Sequence, residues 1–429
     1  MSISLSRRDF LGVAVGGVAC TAVADGPLSG PAPLSQADDH FLEEIERASF
    51  QYFRECSHPT TGLVKDRNHA AGPDDRIVAS IAATGFGLTA LCVADKRGWL
   101  SHSEARERVQ NTLRFLAEQM PQEHGFFYHF IDWHNGERHW NCELSSIDTA
   151  LLMGGVLTCR AHFTRDADIR RLATKIYDRI DWAWMLNGGD MLAHGWMPEK
   201  GFLKNRWSKY CELMILYLLA IGANKHAISA SCWDAWSRPT VSYKGMEYIS
   251  DGAPLFVHQY SHAWFDFRGQ RDRYADYFQN SVTATRAHRQ FCIDLQREFP
   301  GYSEDIWGIT ASDSAKGYVA WGGPPRHKAI DGTVVPCAAG GSLPFLPREC
   351  IGCLRTLRQH FDSKVWTRYG FIDAFNPQTG WVGEDVIAID AGITLLMAEN
   401  LRTGFVWRTF MDNSEARRGM KRAGFRRVR

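Results

Sequence analysis

Hydrophobic positions recur at helical spacing along most of the chain, and the segments that carry them are of two types. Residues 36–57 are amphipathic, with Phe41, Ile45 and Tyr52 on one face. Residues 79–99 are small and apolar on most faces instead, which is typical of a buried helix. The pattern predicts about ten helices, at residues 36–57, 79–99, 102–119, a stretch that ends near 162, 166–186, 205–224, 254–268, 271–299, 347–361 and 385–402.

Most of these helices are paired, and few segments show the alternating pattern of strands. The sequence has no internal repeat of fixed period. Hairpins that alternate a buried and an amphipathic helix favour a toroid in which inner helices are surrounded by outer ones. We therefore predict an all-α fold, an (α/α)6 barrel, with a helical solenoid as the alternative. Long loops at one end, including residues 187–205 and 299–344, are predicted to form a cleft that carries the function.

Residues 125–155 hold a dense set of aromatic, histidine and acidic side chains before a helix. The set lies within 23 residues and comprises Phe126, Phe127, Tyr128, His129, Phe130, Asp132, His134, Glu137, His139, Glu143 and Asp148. A loop with so many rings and carboxylates predicts the wall of a binding site. The alternative is that the two acids nearest the helix only terminate it.

The start of that helix has two interpretations. Asn141 could be the N-cap, with Glu143 in the first turn facing the positive end of the helix. Alternatively, Ser145 is the N-cap and Asp148 closes a capping box, which leaves Glu143 in the loop. On a continuous helix Glu143 and Asp148 would point about 140° apart, so we do not expect them to act as a pair.

Charge and composition exclude some functions. The net charge is +1, with 49 basic and 48 acidic residues, which argues against nucleic acid as a partner because duplex binders need a concentrated basic surface. Fifteen Trp and 13 Tyr provide the flat apolar faces on which sugar rings stack, although an aromatic-rich core would use them as well.

The N-terminus has the pattern of an export signal. Residues 6–12, SRRDFLG, match the twin-arginine motif, and a short apolar run and an Ala22-Val23-Ala24 cleavage site follow. The apolar run is far shorter than the ~20 residues of a membrane span. We expect residues 1–24 to be removed, residues 25–37 to be a linker, and the mature protein to be periplasmic without stable membrane association. The basic residues 421–429 are predicted to be a solvated tail.

No metal or other cofactor is predicted. Cys350 and Cys353 have metal-binding spacing, but no second pair matches it. The ten cysteines that follow the signal are expected to be free thiols, because twin-arginine cargo folds before export. His258 and His262 could share a metal on one helix face, but polar contacts to substrate are the preferred interpretation, since the first His lacks the adjacent Glu of a zinc protease.

Two acids lie alone in apolar segments. Glu212 is followed at helical spacing by Ile215, Leu216 and Leu219, and a carboxyl group desolvated in this way has a raised pKa, as a general acid requires. The alternative is an ordinary ion pair with Lys209. Asp390 lies within the run VIAIDAGITLLM and is either catalytic or a buried hydrogen-bond organiser.

Several segments together resemble one family. FYHFID, ELSSIDTALL, YCELMILYLLAIG, HQYSHAWFDFRG, WGITASD, YGFIDAFN and IDAG are similar to motifs of glycoside hydrolase family 144, the bacterial β-1,2-glucanases with a glycoamylase-like (α/α)6 domain. The resemblance covers residues 38–420. It implies an inverting hydrolase that acts on β-1,2-glucan, with Glu212 as the general acid and further important acids around Glu143.

The resemblance leaves the general base open among Glu143, Asp132, Asp148 and Asp390. Within or next to the same motifs, the predicted substrate contacts are Tyr128, His129, Trp207, His258, Gln259, His262, Trp264, Arg268, Trp307, Asp313, Phe375 and Asn376. Inverting cleavage needs two carboxyl groups about 6.5–9.5 Å apart, which suits acids on different helices. A transglycosylase or phosphorylase on the same scaffold, and a sugar-binding protein without catalysis, are the alternative functions.

Overall fold

The computed structural model describes residues 34–252, 254–326 and 329–428. The predicted signal peptide and most of the predicted linker therefore lie outside the described residues. The described helices are α1 (Gln36–Glu55), α2 (Ile81–Arg97), α3 (His102–Glu118), α4 (Ser146–His162), α5 (Ala167–Asp178), α6 (Trp182–Leu186), α7 (Met214–Gly222), α8 (Cys232–Ala235), α9 (Tyr260–Trp264), α10 (Tyr277–Asp294), α11 (Pro336–Gly340), α12 (Pro347–Phe361), α13 (Ala388–Arg402), α14 (Phe405–Met411) and α15 (Ser414–Arg422).

The described strands are two to four residues long. They are β1 (Arg67–His69), β2 (Val78–Ser80), β3 (Gln122–Glu123), β4 (Phe126–Phe127), β5 (Phe130–Asp132), β6 (Leu144–Ser145), β7 (Gly195–Met197), β8 (Gly201–Phe202), β9 (Thr240–Tyr243), β10 (Met246–Ile249), β11 (Gln270–Arg271), β12 (Ala311–Ser312), β13 (Val319–Ala320), β14 (Trp366–Thr367), β15 (Gly370–Phe371), β16 (Phe375–Asn376), β17 (Trp381–Val382), β18 (Asp385–Ile387) and β19 (Arg426–Arg427). Short 3-10 turns lie at Leu255–His258, Leu295–Arg297 and Asp362–Lys364.

Six helices form the inner ring of the molecule. Helix α2 packs against α4 and α13, α4 against α7, α7 against α9, and α11 against α13. The side-chain amide of Gln259 donates to the Ala338 carbonyl at 2.9 Å and joins the start of α9 to α11, which closes the ring. Every residue of α7, α9 and α11 is buried. The (α/α)6 barrel is confirmed, and the closed ring excludes the solenoid alternative.

Outer helices cover the ring and are amphipathic, as their sequence pattern predicts. Helix α1 packs on α13 and α2, α3 on α2, α5 on α4, α12 on α11, and α15 on α7. Each inner helix instead presents small residues where a neighbour comes close. A Cβ at Gly85 of α2 would lie 2.4 Å from the Leu151 carbonyl oxygen, and one at Gly155 of α4 would lie 2.2 Å from the Gly85 carbonyl oxygen. These two helices therefore pack with their backbones in near contact.

Short strands connect the loops that precede the inner helices. Strand β2 leads into α2 and pairs with β5, β6 leads into α4 and pairs with β7, and β18 leads into α13 and pairs with β1. Val334, just before α11, pairs with Phe375 in the loop before α13. The N-terminal ends of the inner helices consequently lie at the same end of the barrel, which we call the mouth.

The structure differs from the sequence pattern around residues 205–224, where only Met214–Gly222 is helical. The preceding residues form a loop and a turn, because their backbone groups bond to other loops. The Trp207 N–H donates to the Leu192 carbonyl and the Tyr210 N–H to the Ser237 carbonyl, both at 2.9 Å. Tertiary hydrogen bonds here override the helical propensity of the segment.

Two further predicted helices are interrupted. The segment 166–186 divides into α5 and α6, because the Asp181 carboxylate accepts from the Trp184 N–H at 2.9 Å and caps a new helix. The segment 254–268 contains a 3-10 turn followed by the five-residue α9.

The C-terminal segment also differs from the predicted solvated tail. Helix α15 extends to Arg422, and β19 pairs with β11. The Phe425 ring packs 5.6 Å from Phe267 and 5.5 Å from Trp233, so an apolar side chain anchors the segment. Among the described helices, none combines the length and apolarity that a membrane span requires.

Three histidines are enclosed by the barrel core. His258 and His262 flank the start of α9, His288 lies on α10, and each is at most 2% exposed. Burial lowers the pKa of His262 and of His288 to about 3. Burial and the neighbouring histidines lower the pKa of His258 well below its usual range. These rings are therefore neutral in the folded protein at pH 5–7.

We expect the free energy of unfolding to fall as the pH is lowered from 6.5 to 5. An unfolded histidine takes up a proton near pH 6.5, whereas these folded rings remain neutral, so acid favours the unfolded state. Each ring then lowers the free energy of unfolding by about 2 kcal/mol at pH 5.

Denaturant unfolding at pH 7 and pH 5 measures this loss of stability. The control His226→Gln, at an exposed position, should leave the difference unchanged, and His262→Gln should reduce it. Equal unfolding free energies at the two pH values would contradict this account.

Candidate active site

Buried acids collect at the mouth, at the N-terminal ends of three inner helices. Asp148 is the third residue of α4, Asp390 is the third residue of α13, and Glu212 lies two residues before α7. Glu143 precedes α4 in the adjoining loop, and the four side chains are 6–9% exposed. Helix N-termini stabilise negative charge, so the mouth can hold carboxylates that burial alone would disfavour.

The start of α4 follows the capping-box interpretation. Ser145 is the N-cap, its Oγ accepts from the Asp148 N–H at 3.1 Å, and its hydroxyl donates to the Asp148 carboxylate. The Asn141 alternative is wrong, because residues 141–143 lie in the loop before β6. Glu143 is consequently not part of the helix.

This placement corrects the expectation that Glu143 and Asp148 point apart. His129 lies between them, with Nδ1 3.2 Å from Glu143 Oε1 and Nε2 3.6 Å from Asp148 Oδ2. One atom from each of the three residues lies within 4.8 Å of the other two. The angle expected for a continuous helix does not apply, since a strand and a cap separate the two acids. These three residues form a polar cluster, which we call the His129 cluster.

Close backbone packing supports the His129 cluster. A Cβ at Gly195 of β7 would lie 2.3 Å from the Leu144 carbonyl oxygen and 2.7 Å from Glu143 Cγ. Only glycine lets β7 approach the loop at this distance. The His129 ring also stacks on Phe130, with centroids 3.8 Å apart. The cluster has the donor types for a metal ion, and it has equally the hydrogen-bonding groups for sugar hydroxyls.

Glu212 lies in a turn whose backbone is held by α9. The Ser261 hydroxyl donates to the Glu212 carbonyl at 2.7 Å and accepts from the Ile215 N–H at 3.0 Å. The expected helical spacing from Glu212 to Ile215 is therefore wrong, because the helix begins only at Met214. Burial of Cys211, together with the charge of Glu212 and a hydrogen bond to its carboxylate, raises the pKa of that thiol.

Hydrogen bonds tie the Glu212 turn to the start of α4. The Trp207 indole N–H donates to the Ser146 hydroxyl at 2.8 Å, and the Tyr217 hydroxyl donates to the Trp207 carbonyl at 2.8 Å. Ser146 is the first residue of α4 and Tyr217 belongs to α7. Lys209, the proposed partner of Glu212, has its ammonium 3.2 Å from both carboxylate oxygens of Asp251.

A second acidic group lies at the start of α13. The buried Asp373 carboxylate accepts from the Asp313 N–H at 2.7 Å, and Arg67 donates to the Asp313 carboxylate at 2.8 Å. Burial and the charges of Asp390 and Asp313 raise the pKa of Asp373 well above its usual range. Asp373 is not among the acids predicted from the sequence, although it lies within the motif YGFIDAFN.

An arginine holds the strand that leads into α13. The Arg76 guanidinium donates to both carboxylate oxygens of Asp385 at 2.7 Å, and also to Asp74. The Arg76 and Arg67 charges and the hydrogen bond from Arg76 outweigh desolvation and lower the pKa of Asp385. This ion-pair network fixes β18 and therefore the direction in which α13 presents Asp390.

Comparisons with known proteins find similar sequences and structures. The family model named Glycoamylase matches residues 204–414, which include Glu212, Asp373 and Asp390. An exo β-1,2-glucooligosaccharide sophorohydrolase (non-reducing end) of Parabacteroides distasonis is 29% identical over 90% of this chain. The chain spans 58% of the length of that relative.

Solved structures of related proteins have the same fold. An endo-β-1,2-glucanase of Chitinophaga pinensis, in complex with sophorotriose and glucose, superimposes with a TM-score of 0.86 and 28% identity, over 91% of this chain and 99% of that one. A β-1,2-glucanase of Parabacteroides distasonis superimposes with a TM-score of 0.84 and 27% identity, over 91% of this chain and 60% of that one. The predicted resemblance to glycoside hydrolase family 144 is confirmed.

Some of the predicted substrate contacts lie at the mouth of the barrel. His129 belongs to the His129 cluster, and Tyr128 is half-buried beside it, with the Arg138 guanidinium 5.1 Å from its ring centroid. Trp207 and Asp313 belong to the segments that hold Glu212 and Asp373. Asp132, a predicted catalytic acid, lies on β5, where its Oδ1 accepts from the His134 N–H at 2.8 Å and contacts the His134 ring at 2.7 Å.

Other predicted substrate contacts are enclosed in the barrel wall. His258, Gln259, His262, Trp264 and Trp307 are 0–1% exposed, so they cannot touch a sugar in this conformation. Four of them bond to neighbouring elements through a polar side-chain atom, as when the Trp264 indole N–H donates to Thr89 at 3.0 Å. The less favoured possibility, a metal shared by His258 and His262 on one helix face, does not match the structure, because His258 lies in the preceding 3-10 turn and only His262 lies on α9. His258 contacts the Tyr210 hydroxyl and His262 contacts the Ser281 hydroxyl, each at 3.1 Å.

The last three predicted contacts have structural surroundings. Arg268 follows the C-terminal end of α9, where it pairs with Asp266 and lies 4.0 Å over the Trp407 ring, at the end of the barrel opposite the mouth. Phe375 packs on Phe361 with centroids 4.7 Å apart. Asn376 is 3% exposed, and its side-chain oxygen accepts from two backbone N–H groups of the turn that follows it. The spacing of a motif did not distinguish residues that shape the site from residues that face it.

Proposed function

We propose that the chain is a glycoside hydrolase that cleaves β-1,2-glucan or sophoro-oligosaccharides with inversion of the anomeric configuration. The observation that supports this proposal is the set of buried acids on separate inner helices at one end of an (α/α)6 barrel. The relatives with the same fold are named for hydrolysis of β-1,2-linked glucans. A sugar chain that enters the mouth would meet carboxylates on several sides.

Glu212 is the proposed general acid. It would give its proton to the glycosidic oxygen as the bond from that oxygen to the anomeric carbon breaks. Its turn is fixed through Ser261 on one side and through Trp207 and Tyr217 on the other. A side chain held in this way keeps its direction when the substrate binds, which general acid catalysis requires.

Asp390 is the proposed general base. In the ring order α2, α4, α7, α9, α11, α13, helix α13 lies three positions from α7 and therefore opposite Glu212. An inverting enzyme needs its base on the face of the sugar opposite to the acid, with room for a water molecule. Asp390 would take a proton from that water as its oxygen attacks the anomeric carbon. Each turnover then moves one proton from Glu212 to the leaving group and one from water to Asp390.

The other predicted acids fit this role less well. Glu143 and Asp148 lie on either side of His129, at the start of the helix adjacent to α7. Their separation is below the range for an inverting pair. Asp132 has one carboxylate oxygen occupied by His134. We propose that the His129 cluster binds sugar hydroxyls and orients the chain.

Incubation with linear and cyclic β-1,2-glucans, beside β-1,3- and β-1,4-glucans, followed by sizing of the products, tests the proposal. Hydrolysis of the β-1,2-linked substrates alone would support it. Products longer than the substrate in the presence of an acceptor sugar would favour a transglycosylase, and sugar phosphates formed with inorganic phosphate would favour a phosphorylase. Binding without any product would favour a glucan-binding protein.

We also propose that the protein acts after export, because the twin-arginine motif and the Ala-Val-Ala site occur together at residues 6–24. Protein recovered from the periplasm should begin near Asp25, and intact-mass analysis measures this directly. A cytoplasmic product that retains residues 1–24 would contradict the export proposal.

A further inference from the structure

Asp373 is a buried acid for which the proposed reaction gives no role. Its side chain lies in the loop between β15 and β16 and is 2% exposed. One carboxylate oxygen, Oδ2, accepts from the Asp313 N–H at 2.7 Å. The other oxygen, Oδ1, receives no hydrogen from an N–H or O–H donor within the part of the chain that the structure describes. A buried carboxylate oxygen without a donor is costly, so its surroundings must compensate.

The neighbour of Asp373 is the carboxyl group of Asp390, to which its side chain is hydrogen-bonded. Two carboxylates in contact cannot both be ionised in a buried site, because the like charges repel at short range. A hydrogen bond between them requires a proton on one of the two. The contact therefore implies a pair of carboxyl groups that holds one proton.

The surroundings decide which member carries that proton. Asp390 is the third residue of α13, where the helix N-terminus stabilises a negative charge. Asp373 lies in a loop, without a helix of its own, and faces the charge of Asp313. The nearby cation, Arg67, lies 2.8 Å from Asp313, 3.5 Å from Asp66 and 3.6 Å from Asp385, so three other acids compete with Asp373 for its charge. Burial and both acidic neighbours raise the pKa of Asp373 well above its usual range.

We propose that Asp373 is a positioning residue that carries the proton of this pair and donates it in a hydrogen bond to Asp390. The donated hydrogen bond keeps Asp390 ionised and fixes the orientation of its carboxylate. The chain from Arg67 through Asp313 to Asp373 holds the donor in place. This inference rests on the proposed function, in which Asp390 activates water, and it adds a residue that acts on the base without touching the substrate.

Two substitutions of Asp373 distinguish a role as hydrogen-bond donor from a role in packing alone. In Asp373→Asn the amide N–H can still donate to Asp390, and its oxygen can still accept from the Asp313 N–H. Asp373→Ala removes both. We expect the Asn variant to keep kcat within about threefold of the wild type, because the same hydrogen bond is made. We expect the Ala variant to lose about 100-fold in kcat with little change in KM, because Asp390 is no longer held in line.

The pH dependence of kcat/KM identifies the protonated member. The groups that face Asp373 are Asp390, Asp313 and Arg67. If Asp373 is protonated, the Ala variant loses the hydrogen bond to Asp390, so the pKa of Asp390 rises and the acid limb of the kcat/KM profile moves to higher pH. The Asn variant keeps the hydrogen bond and leaves that limb in place. If Asp373 is ionised, both substitutions remove a like charge and move the acid limb to lower pH, which would overturn the proposal.

A control and an independent readout complete the test. The control is Asp272, which is also fully buried and accepts from the Trp233 indole N–H, but lies away from the mouth. Asp272→Asn measures how much stability is lost when a buried acid is neutralised. It should leave the acid limb of the kcat/KM profile unchanged. Infrared difference spectroscopy should show a protonated carboxylic acid in the wild type that is lost in Asp373→Asn. Absence of that signal would refute the inference whether or not the wild type hydrolyses glucan. Absence of wild-type hydrolysis would refute the proposed function alone.

Discussion

Replacement of Glu212 by Gln is expected to remove nearly all hydrolysis of β-1,2-glucan. The amide keeps the shape of the side chain but has no proton to give to the leaving oxygen. General acid catalysis contributes typically about 10²–10⁴-fold, which is roughly 3–5 kcal/mol of the barrier. The loss should appear in kcat with the affinity for glucan largely retained, and steady-state kinetics beside glucan binding measures both.

The control for this variant must separate catalysis from folding. Glu399→Gln neutralises a similarly buried acid near the C-terminal end of α13, where it pairs with Arg97. Glu399→Gln should lower the melting temperature and keep kcat. Glu212→Gln should instead keep the melting temperature and lose kcat. A β-glucoside with a good leaving group needs no protonation and should restore much of the rate in Glu212→Gln. A substantial fraction of wild-type turnover on natural glucan in Glu212→Gln would show that Glu212 is not the acid.

Replacement of Asp390 by Ala is expected to reduce kcat by a similar factor, about 10²–10⁴-fold, because the attacking water loses its base. The small side chain also leaves room for an added anion. Azide, which needs no deprotonation, should attack the anomeric carbon and restore part of the turnover as a glucosyl azide of inverted configuration. The azide product is measured by mass spectrometry and NMR.

The same experiment in Glu212→Gln is the matched comparison, because azide cannot supply the missing proton to the leaving group. Rescue in Asp390→Ala without rescue in Glu212→Gln would assign the two roles. If Asp390→Asn keeps most of the activity and Glu143→Gln or Asp148→Asn abolishes it, the base lies at the His129 cluster instead.

The helical architecture could be predicted because its signal is local. Helices that are apolar on most faces, such as α2 and α13, must be surrounded, and amphipathic helices such as α1 and α3 must cover them. The predicted helix boundaries were wrong where tertiary hydrogen bonds compete with helix formation. Residues 205–213 have the composition of a helix, but their backbone groups bond to neighbouring loops, so α7 begins later than the pattern indicates.

The candidate site shows the same limit. Glu212 and Asp390 could be found because a lone acid in an apolar segment is unusual. The convergence of Glu143 and Asp148 on His129 could not be predicted, because it depends on which residue caps α4. Asp373 gave only a weak signal, since its contact with Asp390 joins a loop to a helix and a raised pKa depends on burial that the sequence does not display.

The enclosed motif residues illustrate a different limit. Gln259 and Trp264 belong to a segment with many polar and aromatic side chains, which suggests contact with a sugar. In the structure these groups close the barrel, since Gln259 bonds to α11 and Trp264 to α2. A resemblance places residues in a motif, but only the geometry separates the residues that face the mouth from the residues that build it.

The measurement that tests the central claim most directly follows the digestion of linear β-1,2-glucan by proton NMR from the first minutes. Hydrolysis by an acid and a base on opposite faces of the sugar releases the new reducing end as the α-anomer, which then equilibrates slowly with the β-anomer. We predict an early excess of the α-anomer in the wild type. An early excess of the β-anomer, or no hydrolysis of this substrate, would contradict the account.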